Sequence, residues 1–72
     1  LLGSWEENAD LFTPGETVTG VIRSIEDYGV FVDLMPNLAG LAEMDDTRFE
    51  GQGVAVYTKQ IIKQKRKIKL LL

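Results

Sequence analysis

The sequence predicts a small all-β barrel, and three observations carry that prediction. Five short segments rich in strand-forming residues follow one another, separated by turn-forming residues. The first segment carries a one-residue slip in its apolar pattern and an internal glycine, the marks of a sharply coiling strand. Helical signals are confined to a brief lead-in and one expected helical turn before the fourth strand. Closing such strands into a barrel removes the edges that would otherwise pair with other chains.

Taken in order, Ser4-Trp5-Glu6-Glu7 has the Ser-x-x-Glu form of a capping box, with acids suited to the positive end of the helix dipole. A helical lead-in is expected over 4–11, ended by Thr13-Pro14-Gly15 and packed over an open barrel end through Trp5 and Leu11. The first strand spans 16–25. Val18, Gly20 and Ile22 share one face, and Ile25 follows three residues later rather than two, which a β-bulge explains. Asp27-Tyr28-Gly29 turns the chain into a second strand at 30–34, with Val30, Val32 and Leu34 on one face and Phe31 and Asp33 on the other. Met35-Pro36-Asn37 leads to a third strand at 38–43. A polar loop with a helical turn follows at 44–50, then a fourth strand at roughly 54–62. Gln64-Lys65-Arg66 makes the last hairpin turn, and 67–71 is the fifth strand. The organisation expected is a lead-in at 1–13 and one barrel domain at 14–72.

Composition excludes several classes of function. At 72 residues the chain buries only about 60% of its unfolded surface on folding. It has no cysteine and no histidine, so thiolate zinc sites, disulfides and the usual general base are missing. Ser4 and Ser24 are its only serines, and neither has a plausible base partner. The expectation is a protein that is not an enzyme and uses no cofactor. No apolar run approaches the roughly 18 residues of a membrane span, and no signal or lipidation motif is present. A cytoplasmic location without membrane contact is expected. The chain starts at Leu1 and stops in a leucine run, as a piece of a longer protein would.

The net charge of −3 hides a dipolar chain. Residues 1–58 hold all eleven acids against Arg23 and Arg48, for −9, whereas 59–72 hold six bases and no acid, for +6. Lys63, Lys65, Arg66, Lys67 and Lys69 can track a phosphate backbone by counterion release, or can simply keep an exposed hairpin soluble. Phe31 lies on the strand face that should be polar, with Tyr28 at the strand's entrance. Two outward aromatics can stack nucleic-acid bases, each worth about 1–3 kcal/mol. The alternative is that Phe31 packs across strands or under a covering segment. The acids Glu43, Asp45, Asp46 and Glu50 either hold a magnesium ion or form a solvated loop capped by Asp45. The second reading is preferred, with no metal site expected.

The run Gly20-Val21-Ile22-Arg23-Ser24-Ile25-Glu26-Asp27-Tyr28-Gly29-Val30-Phe31-Val32-Asp33-Leu34 resembles the opening of the S1 RNA-binding domain. Pro36 through Leu41 is similar to that family's turn into Gly-Leu, and Gly51 through Leu70 to its closing strands. The resemblance covers roughly residues 14–71. It implies a five-stranded OB-fold barrel that binds single-stranded RNA, with little sequence demand, as one module of a larger translation or RNA-metabolism protein. It places the family's two stacking aromatics on Tyr28 and Phe31 and a phosphate-contacting base on Lys67. Arg23 would lie near the same surface, with Lys69, Lys65 and Arg66 completing the basic edge. Two departures stand out. Glu43 occupies the position of a common family histidine, and Ile62 that of an aspartate at the end of the fourth strand; the usual serine after the last strand is Leu71. These keep a second reading open, a degenerate S1 domain that docks onto protein, on the ribosome or within its parent. A monomeric module within a multidomain chain is expected under either reading.

Overall fold

The computed structural model describes residues 3–72. Leu1 and Leu2, the first two positions of the expected lead-in, lie outside the described residues. The elements run α1 (Trp5–Ala9), β1 (Thr17–Glu26), β2 (Gly29–Met35), β3 (Leu38–Ala42), β4 (Gly53–Ile62), a 3-10 turn (Lys63–Lys65) and β5 (Lys67–Leu71). The strands close into a barrel in the order β1-β2-β3-β5-β4, with β4 returning to pair with β1. All pairings are antiparallel except the short parallel seam between β3 and β5, where Leu41 faces Lys69 and Ala42 faces Leu70.

Three one-residue slips bend the strands. In β1 the register passes from Ile22 opposite Val32 to Ser24 opposite Phe31, which leaves Arg23 as the extra residue. This is the slip that the Ile22–Ile25 spacing predicts. Leu34 is the extra residue where β2 meets β3, and Lys59 where β4 meets β5. Gly20 permits the tight coil of β1. A Cβ there would stand 2.6 Å from Val32 Cγ1 and 2.8 Å from the Asp33 carbonyl oxygen, so only glycine lets β1 and β2 approach this closely.

The barrel interior is filled by Ile22, Val30, Val32, Leu38, Val56, Ile68 and Leu70. Their alternation with exposed neighbours is clearest in β4, where Val54, Val56 and Thr58 point inward in succession. Beyond the Lys59 bulge the inward position shifts by one, and Ile61 rather than Gln60 packs against the core. Thr58 is fully buried, and its hydroxyl has no hydrogen-bond partner among the described residues.

The lead-in closes one barrel end. Its capping box is complete: the Glu7 N–H donates to Ser4 Oγ at 3.1 Å and the Ser4 N–H to Glu7 Oε1 at 3.2 Å. Helix α1 is shorter than expected, because regular helix ends at Ala9 with Asp10 as its cap. Trp5 packs against the core as predicted, but Leu11 is 67% exposed. With the helix ended, the chain turns away, and Ala9 and Phe12 fill the place expected of Leu11. The Asn8 side-chain amide donates to Asn37 Oδ1, and Asn37 Nδ2 donates to the Gly3 carbonyl at 2.8 Å, clamping α1 to the β2–β3 turn.

The helical turn expected before β4 does not form as helix. Two successive turns replace it, closed by Arg48 N–H to Asp45 C=O (3.4 Å) and Gln52 N–H to Phe49 C=O (3.1 Å). Asp45 explains the difference. Its carboxylate takes the Thr47 N–H (3.0 Å) and Thr47 hydroxyl (2.5 Å), a local side-chain turn that competes with helix. A 3-10 turn forms after β4 instead, and Arg66 ends it in the left-handed region at φ 50°, ψ 48°.

Candidate nucleic-acid interface

The β3–β5 seam forms the floor of a groove of ≈ 380 Å³ on the outer barrel surface. Parallel pairing runs the two strands in step and places Leu41 beside Lys69. Ala39, Gly40 and Leu41 supply one side, and Arg66, Lys67 and Lys69 the other. Tyr28 and Phe31 stand on the β2 side. Alternation in β5 accounts for the lysines: Ile68 and Leu70 enter the core, so Lys67 and Lys69 must face out.

The two aromatics meet, but not as a flat platform. Their centroids are 6.0 Å apart and their planes cross at 85°. Phe31 is half-buried on a strand, paired with Ser24 on one side and Leu41 on the other. Tyr28 belongs to the β1–β2 turn and is 67% exposed. The strand fixes one ring and the turn the other, and the result is an edge-to-face corner. Each ring stands as a wall beside the face of the other.

The predicted cations divide into two groups. Lys67 and Lys69 line the groove and have no ion-pair partner among the described residues. Arg66 lines it too, but its Nε lies 3.2 Å from Glu6 Oε2 of α1. Lys63 is likewise paired with Asp10. Arg23, the bulge residue of β1, lies 2.5 Å from Asp33 and does not line the groove. Lys65 is exposed in the 3-10 turn and stands outside the groove lining. The groove therefore gathers Tyr28, Phe31, Arg66, Lys67 and Lys69, and leaves out Arg23 and Lys65.

One cation escaped sequence reasoning. Lys59 lines a neighbouring concavity together with Tyr28 and Lys69. Lys59 is the extra residue of the β4 bulge and faces out beside inward Thr58, whose polar side chain leaves the slip without an apolar signal in the sequence. Asp45 is spent locally: the Thr47 hydroxyl, the Thr47 N–H and Arg48 hold its carboxyl below the usual carboxylate range. Among the described residues no three acids gather into a group that would hold a metal ion, and no helix is long and apolar enough to cross a membrane.

No family model matches the chain. The small ribosomal subunit protein bS1 of Neisseria meningitidis is 37% identical over 49 residues, 68% of this chain and 9% of that protein. The solved structure of an uncharacterized protein from Methanocaldococcus jannaschii superposes with a TM-score of 0.76 at 26% identity, covering 82% of this chain and 89% of that one. GSP13 from Bacillus subtilis superposes at 0.74 with 25% identity, over 83% and 55% of the two chains. The chain is an S1-like domain. Its closed five-stranded barrel is the OB fold. The S1-like chain spans about a tenth of the length of the curated relatives it matches.

Proposed function

We propose that this S1-like domain binds single-stranded RNA along the β3–β5 groove, with no required sequence. The observation that carries the reading is the convergence of the Tyr28–Phe31 corner with the unpaired Lys67 and Lys69 in one groove. Bases stack on the rings, which accept any π-face, while the lysines neutralise the backbone. Arg66 contributes less, because Glu6 already satisfies part of its charge. Arg23 sits at the margin, held by Asp33. The likeness to ribosomal protein bS1 supports the reading of a binding module rather than an enzyme.

The same likeness supports a place in translation, and we read the domain as one cytoplasmic module of a larger chain that reaches RNA or the ribosome, itself monomeric. Few contacts imply weak binding by the isolated domain, and linked modules recover affinity through effective concentration. The test is anisotropy with a short labelled oligouridine across a salt series. With two or three phosphates neutralised, log K should fall with log salt at a slope of about −1.5 to −2. Absence of binding at low salt would leave the protein-docking reading instead.

A further inference from the structure

Past Tyr28 the groove continues into a second concavity of ≈ 220 Å³, whose lining includes Ala42, Glu43, Lys59, Lys69 and Leu71. Tyr28 and Lys69 belong to both compartments, so a strand leaving the first passes directly into the second. The same parallel seam builds it: Ala42 pairs with Leu70, and Glu43 is the next residue out. Glu43 is exposed and makes no ion pair or hydrogen bond among the described residues. Lys59, the extra residue of the β4 bulge, is exposed and likewise makes no ion pair or hydrogen bond among the described residues.

A carboxylate on this wall cannot hold a phosphate. It is an acceptor-only group beside an aromatic ring, with two lysines at hand to hold the backbone. A base lying on Tyr28 presents its hydrogen-bonding edge to the wall rather than its face. The four bases then differ. Guanine offers two parallel donors, N1–H and N2–H, which match the two oxygens of a carboxylate. Uracil offers one N–H between two carbonyl oxygens. Adenine and cytosine each set an acceptor nitrogen beside their amino group, which a carboxylate repels. Resting on the RNA reading above, we propose that the second compartment is a nucleotide subsite in which Glu43 selects guanine and Lys59 holds the adjoining phosphate.

The test uses three labelled seven-nucleotide single strands: all uridine, and the same with guanosine or adenosine at the centre. The guanosine strand should bind the domain about five- to tenfold more tightly than the other two, the low end for a bidentate contact because Glu43 is solvent-exposed. Glu43→Gln keeps one acceptor and removes the negative charge. It should reduce that ratio to about twofold or less while binding the uridine strand no more weakly than the wild type does. If Glu43→Gln strengthens all three strands equally and leaves the ratio intact, Glu43 acts only by repulsion and the inference is overturned. Equal binding of the three strands by the wild type overturns it too, but leaves the RNA reading standing. No binding to any strand at low salt overturns both.

Discussion

Phe31→Ala separates a ring that holds RNA from a ring that holds the fold. Phe31 is half-buried and lies outside the cluster of buried core residues. Its lost contacts are with the β1 and β3 neighbours and with the edge-to-face partner Tyr28. The aromatic pair is worth about 0.5–1.5 kcal/mol beyond area burial. With the partial loss of apolar burial, truncation should cost about 1–2 kcal/mol of stability, against about 3–5 kcal/mol for a phenylalanine in a closed core. Binding should suffer more, because the corner loses one wall and Tyr28 loses its brace. One stacked base is worth about 1–3 kcal/mol, or roughly a five- to 150-fold weaker complex. Urea denaturation measures the first quantity and anisotropy with oligouridine the second, on the folded fraction. A stability loss of core size with unchanged affinity per folded molecule would refute the assignment of Phe31 to the surface.

Other predictions follow from the same contacts. Thr58→Val replaces a fully buried hydroxyl that lacks a partner among the described residues with a methyl of the same shape, and should raise stability by about 1 kcal/mol in denaturant. Gly29→Ala places a Cβ 2.5 Å from the Ala42 carbonyl oxygen, where backbone cannot give way, and should cost about 1–3 kcal/mol in the same assay. Glu6→Gln releases Arg66 from its ion pair. Oligouridine should then bind more tightly, and the salt slope should steepen by about 0.7, the share of one added phosphate contact on a single strand.

The aromatic pair and the β5 lysines were legible in the sequence because local alternation decides them. Phe31 stands out against Val30 and Val32, and Lys67 and Lys69 against Ile68 and Leu70. The β1 bulge was legible for the same reason, since Ile22 and Ile25 are both apolar and three apart. The equivalent slip in β4 was hidden, because its inward residue there is Thr58, which carries no apolar signal. Lys59 was missed with it. The 44–50 segment failed differently: Asp45 forms a side-chain turn with Thr47, and polar loop composition does not distinguish that from a turn of helix. Pairings between distant segments leave least trace. Glu6 with Arg66, Lys63 with Asp10, and Arg23 with Asp33 remove cations from a basic surface that charge counting had treated as uniformly available.

The central claim is that one groove holds RNA by its aromatic corner and its unpaired lysines. The most direct test is an NMR titration of the labelled domain with a short single-stranded RNA at low salt. Shifts should concentrate on the amides of Tyr28, Phe31, Leu41, Lys67 and Lys69, with little change on the β1–β4 face around Thr19 and Ala55. Absence of shifts along the β3–β5 seam, or shifts confined to the opposite face, would contradict it.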